Sequence, residues 1–147
     1  MQTADNVARW FLSRNLVRAE PDLISNLKLQ KLLYYAQGLH LAMHNKPLFL
    51  DHIVAWQYGP VVESVYRIYA GYGFNPIVKF EKPVENFHGN ERDILQFTLR
   101  EFGQFSPWKL SDMVREESPW VDTDSNRVIS RAKIKWFFKK HYIDYSN

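Results

Sequence analysis

The chain contains no cysteine. Disulfides, thiolate metal sites and a cysteine nucleophile are therefore excluded, and a reducing compartment fits. No leader is expected, since Met1-Gln2-Thr3-Ala4-Asp5 lacks a basic patch followed by an apolar run. The longest apolar stretches are broken by Lys, Gln and His well short of the ~20 residues that a membrane span needs. Cytoplasmic localisation and no membrane partner are expected. Glycine is also sparse, and Gly71-Tyr72-Gly73 lacks the third Gly and the following Lys of a phosphate-binding loop. There is no Gly-x-Ser-x-Gly. The net charge is only +3, spread through both halves, so bulk charge does not call for nucleic acid.

What the chain does have is aromatic bulk. Five Trp, eight Tyr and ten Phe in 147 residues are ample material for one core and argue against disorder. No linker or low-complexity segment divides the sequence, so residues 1–147 are read as one domain.

Thr3 suits a helix N-cap, with Asp5 in the first turn. Ala4, Val7, Ala8, Phe11 and Leu12 recur at helical spacing as far as about Leu16, before Glu20-Pro21-Asp22 breaks the chain. Ser25 or Asn26 can cap a longer second helix, with Leu29, Leu32, Leu33, Ala36, Leu39, His40 and Met43 inward and Lys28, Lys31 and Gln37 off that stripe. Gly38 within it is tolerable if another backbone packs closely against it, and Asn45-Lys46-Pro47 ends the helix. Alternation over residues 53–58 predicts a strand. Gly59-Pro60 then opens a third helix with Val61, Val62, Val65, Ile68 and Tyr69 inward, closed by Gly71-Tyr72-Gly73. Ile77-Val78-Lys79-Phe80 is a second strand candidate, able to pair with the first.

Asn90 can cap a fourth helix that ends at Gly103, and Ser106-Pro107-Trp108 opens a fifth. The tripeptide recurs as Ser118-Pro119-Trp120. Ser130 starts a last helix through Tyr142, with Ile134, Phe137, Phe138 and His141 on one face. The sum is a mainly α, compact bundle of about six helices with a small two- or three-stranded β element.

Several of these segments, in order, resemble the Panacea antitoxin domain. They are Asn26-Leu27-Lys28-Leu29-Gln30-Lys31-Leu32-Leu33-Tyr34-Tyr35-Ala36-Gln37-Gly38, then Ala55-Trp56-Gln57-Tyr58-Gly59-Pro60-Val61-Val62 with Val65-Tyr66 and Tyr69, then Leu110-Ser111-Asp112-Met113 leading to Glu117-Ser118-Pro119-Trp120. The final helix, with Ile129-Ser130 and Phe137-Phe138, is also similar. The family includes SocA-like and GepA-like phage-associated proteins. The resemblance implies an antitoxin that blocks a cognate toxin, encoded by an adjacent gene, through direct contact. One member acts as a proteolytic adaptor, which implies a protease as a second partner. Where the family usually carries Thr-His after the Met, this chain has Val114-Arg115, and Ser118 replaces a frequent Gly.

The candidate contact residues are aromatic. Trp56, Tyr58 and Tyr66 read either as packing anchors or as a rigid surface for a partner, since Trp and Tyr supply contact area at low entropic cost. Tyr34 and Tyr35 point about 100° apart on a helix, so one of them is expected to reach a surface or a neighbouring strand. The basic stretch 127–140, with Lys133, Lys135, Lys139 and Lys140 beside Trp136, reads as the solvated side of a core helix. Its alternative is a face for nucleic acid, as in a prophage DNA-binding regulator, or for an acidic partner. His40 and His44 share a helix face, yet no carboxylate lies between them as in HExxH, and only chance folding would add Asp51 or His52, so a packed or surface pair is expected. Glu116-Glu117 reads as a solvated helix end. No catalytic set, metal site or cofactor is expected.

Overall fold

The computed structural model describes residues 1–17 and 23–143. The break expected at Glu20-Pro21-Asp22 lies outside the described residues. The remainder is mainly helical, with one antiparallel hairpin.

Helix α1 (Ala4–Val17) begins where Thr3 Oγ1 accepts the Asn6 N–H at 3.0 Å, and its expected apolar positions are buried. Helix α2 (Asn26–His44) is capped by Ser25, whose Oγ accepts the Lys28 N–H at 3.3 Å. It ends at Asn45 in the left-handed region, φ 57°, whose N–H returns to the Leu41 carbonyl.

Helix α2 is buried on every side, unlike an amphipathic surface helix. Lys28, Lys31 and Gln37, expected off the inward stripe, are all buried, whereas Met43, placed on it, is 53% exposed. The cause is tertiary, because helices and the hairpin surround α2. Its polar side chains bond to the chain wrapped around it. Gln37 Oε1 accepts the Leu48 N–H at 2.7 Å and its Nε2 donates to the Phe49 carbonyl at 2.8 Å. Gln30 Oε1 accepts the Val62 N–H at 2.9 Å, and Lys28 Nζ donates to the Gly103 carbonyl at 2.6 Å.

Strands β1 (Ile53–Trp56) and β2 (Gly59–Val62) pair with Ile53 opposite Val62 and Trp56 opposite Gly59. Residues 59–62 are thus a strand, not the start of the third helix. Pro60 is accommodated there because a two-stranded sheet has free edges. The other side of β1 bonds to residues 126–129, through Ala55 N–H to the Arg127 carbonyl and Ile129 N–H to the Ile53 carbonyl. The expected strand at 77–80 is absent. Ile77 makes a single bond to the Ile24 carbonyl, and Val78 faces solvent.

Helix α3 (Glu63–Tyr69) passes through a short tight turn (Ala70–Tyr72) to Gly73, φ 59°. Helix α4 (Gly89–Phe102) is capped by His88 and not by Asn90, which stands inside its first turn; the Glu91 carboxylate accepts the His88 N–H at 2.9 Å, and Gly103 closes the helix. Helices α5 (Pro107–Val114) and α7 (Arg131–Phe138) are capped by Ser106 and Ser130 as expected, with the four-residue α6 (Ser118–Val121) between them. Beyond α7 the chain winds on as a wider π-type turn, Lys139–Ile143. The ring of Phe138 lies where a Cβ on Gly38 would stand, 2.4 Å away, which explains a glycine inside α2. No helix among the described residues is long and apolar enough to cross a membrane.

Candidate functional site

The five candidate aromatic residues divide into two groups. Tyr34 and Tyr35 are fully buried, so neither offers the surface expected of a contact residue. Although they diverge on α2, neighbours cover both directions. Tyr35 stacks on Phe102 at 3.9 Å, and Tyr34 meets Phe138 edge-on at 5.4 Å. Both hydroxyls donate to Glu117, at 2.9 Å each, and Tyr142 adds a third bond at 2.7 Å. Glu117 is therefore a buried acceptor and not part of a solvated helix end, while Glu116 is exposed. Burial pushes the Glu117 carboxyl above its ordinary value, against the three hydroxyl donors that favour its charge.

Trp56, Tyr58 and Tyr66 come together around an open cleft of about 380 Å³, joined by Phe74, Asn26, Gln30, Lys31 and Asn126. The Trp56 and Tyr66 rings meet edge-on at 4.9 Å. Tyr58 meets Trp108 at 5.2 Å and 90°, and Phe74 lies 5.8 Å from Trp108. These outer rings are exposed: Tyr58 by 38%, Trp108 by 48% and Phe74 by 69%.

The turn that carries Trp56 and Tyr58 is held from behind. Trp120 Nε1 donates to the Trp56 carbonyl at 2.8 Å, and Ser111 Oγ donates to the Tyr58 carbonyl at 2.5 Å. Gly59 adopts φ 118°, and a Cβ there would meet Val114 at 2.7 Å and Lys31 Cε at 3.0 Å. The third sequence block thus buttresses the second.

Lys31 lines the cleft from α2. Its Nζ is buried and has no hydrogen-bond partner among the described residues. Burial first, and the neighbouring Arg115 charge second, lower its pKa to about 7. Sequence reasoning missed Lys31, Phe74 and Trp108. Only the Ser-Pro-Trp tripeptide drew attention to Trp108, and then as a helix start.

The other expected groups lie elsewhere. Lys133, Lys139 and Lys140 are exposed along and beyond α7, with Lys135 half-buried. Lys133 Nζ donates to the Asp122 carbonyl at 2.6 Å and Lys140 lies over the Trp136 ring at 5.0 Å. The His40 and His44 rings pack 5.0 Å apart, and His40 Nδ1 bonds to the Lys46 carbonyl at 2.7 Å. Asp51 is turned away from them, accepting from Ala4 N–H and Ser64 Oγ. Among the described residues no three His, Cys, Asp or Glu side chains gather in a metal-binding group.

Comparison with known proteins bears on the same segment. The profile of the family described as "Antitoxin SocA-like, Panacea domain" matches residues 29–121, which contain most of the cleft and Glu117. The chain is similar to the protein described as Antitoxin SocA from Caulobacter vibrioides (strain NA1000 / CB15N), at 48% identity over 50 residues, covering 34% of this chain and 27% of that relative. The aligned part is thus well under half of either protein. No solved structure matches. With the profile spanning more than half of its length, the chain belongs to the SocA-like antitoxin family of Panacea-domain proteins.

Proposed function

We propose that this protein is the antitoxin of a toxin–antitoxin pair and neutralises its cognate toxin by direct protein–protein contact, with no chemistry on a substrate. The observation that carries this reading is the exposed rim of Tyr58, Phe74 and Trp108 within the segment matched by the family profile. Adjacent exposed aromatic rings, with Tyr58 on a braced turn, are the kind of surface that supplies binding energy at little entropic cost. Occlusion of the toxin's working face needs nothing further from the antitoxin.

The test is co-expression with the product of the adjacent gene. That product alone is expected to arrest growth, and this protein to restore it and co-purify with the product at unchanged toxin half-life. Absence of toxicity, or rescue without a complex, removes the reading. Rescue with a shortened toxin half-life replaces occlusion by delivery to a protease.

A further inference from the structure

Three buried side-chain polar atoms among the described residues lack a hydrogen-bond partner: Trp10 Nε1, Ser13 Oγ and Lys31 Nζ. Only the last belongs to an ionisable group. An ammonium buried without a partner is among the costlier features a fold can hold, and a Met or Leu would fill the same space without that cost. The neighbouring Lys28, also buried on α2, spends its Nζ on the Gly103 carbonyl.

The surroundings of Lys31 supply no anion. The residues lining its cleft include amides and aromatic rings but no Asp or Glu. Of the nearby acids, Asp112 is engaged by Arg115 at 2.9 Å and Glu117 by its three tyrosines. The charged and titratable groups that face Lys31 are Arg115, which adds positive potential, and the phenols of Tyr58 and Tyr66 across the cleft.

We propose that the cleft seats a carboxylate side chain, Asp or Glu, of the partner toxin, which pairs with the buried Lys31 ammonium while its flanking residues cover Tyr58, Phe74 and Trp108. This rests on the antitoxin reading. A macromolecular source is favoured because the exposed Trp108 ring lies outside the cleft lining, where a small acid filling about 380 Å³ would leave it uncovered. An arriving carboxylate favours the charged amine, so binding takes up a proton where Lys31 is neutral in the free protein.

The experiment compares the full wild-type chain with Lys31→Met, first for folding by circular dichroism and thermal melting, then for affinity toward the co-purified toxin. The variant is expected to melt no lower than wild type and to bind about 30-fold more weakly or worse. Neutralising the toxin's acids one at a time, Asp→Asn or Glu→Gln, is expected to expose one acid whose loss weakens wild type equally and costs nothing further in Lys31→Met. A folded Lys31→Met with wild-type affinity, or additive losses for every acid, overturns the proposal. So does a variant that still neutralises toxin while wild type alone binds a free acid.

Should wild type bind no toxin, the antitoxin reading fails by itself. The cleft is then decided by titrating N-acetylglutamate against neutral N-acetylglutamine while following the Lys31 side-chain nitrogen resonance. A response to the acid alone keeps the carboxylate site, and identical responses overturn it.

Discussion

The hydroxyl of Tyr142 reaches back 25 positions along the chain to donate to Glu117 at 2.7 Å. That bond fastens the final π-type turn to the entrance of α6, and Tyr34 and Tyr35 fasten the same carboxylate to α2. Glu117 is thus where three separated pieces of chain converge.

Replacing Glu117 by Ala removes the acceptor of all three hydroxyls. Tyr34 and Tyr35 are fully buried, and each buried, unsatisfied hydroxyl costs about 1–3 kcal/mol, so a loss of about 2 kcal/mol or more is expected in urea unfolding. Glu117→Gln retains one acceptor oxygen and should lose less.

Acidity sharpens that comparison. The folded state raises the Glu117 pKa, so it holds the proton more firmly than the unfolded chain does. The resulting stability is fully present below the ordinary value of 4.5 and is lost as pH rises through the folded value. Wild type should therefore gain on Glu117→Gln as pH is lowered from neutrality toward 4.5, in parallel thermal melts.

Gly38→Ala sets two effects against each other. Alanine in a helix interior is favoured over glycine by up to about 1 kcal/mol. The new Cβ would lie 2.4 Å from the fully buried Phe138 ring, and such overpacking costs about 1–3 kcal/mol. A net fall in melting temperature is expected, with part recovered by adding Phe138→Leu.

Lys31 predicts the opposite pH trend from Glu117. Its folded pKa is about 7 against an ordinary 10.5, so the unfolded chain binds the proton more firmly between those limits. The cost to the fold is present below 7 and is relieved as pH rises toward 10.5. Wild-type stability relative to Lys31→Met should climb through that window by at most about 1.4 kcal/mol per pH unit. The comparison isolates Lys31 because Arg115, Tyr58 and Tyr66 are common to both proteins.

Trp108→Ala and Phe74→Ala test the rim. Both rings are largely exposed, so each change is expected to shift stability by about 1 kcal/mol or less. Toxin affinity should fall by about tenfold or more, measured by calorimetry on the purified pair. A stability loss matching the affinity loss would instead assign these rings to the scaffold.

Local signals in the sequence are found again in the structure. Thr3, Ser25, Ser106 and Ser130 serve the helix starts expected of them because capping depends on a few adjacent residues. Gly59-Pro60 misled because a turn into a strand and a turn into a helix share the same punctuation. Burial around α2 was illegible for another reason. Whether Lys31, Gln37 and Glu117 face water depends on segments far along the chain, and a buried lysine is written with the same letter as a solvated one. Trp56, Tyr58 and Tyr66 are legible as a group because their rings lie close together along one short stretch of sequence, and the structure sets them around one cleft. Phe74 and Trp108 join them only after the chain has folded back.

Gln37 holds the 48–49 segment, Gln30 holds β2 and Lys28 holds the end of α4, so α2 works as an axle around which the other segments are wound. The rings facing outward sit on three separate windings: the hairpin turn, the stretch after α3 and the start of α5. Each of these rings is exposed, so its substitution is expected to leave the axle in place. On the proposed antitoxin reading, a new client would be acquired by editing the periphery alone.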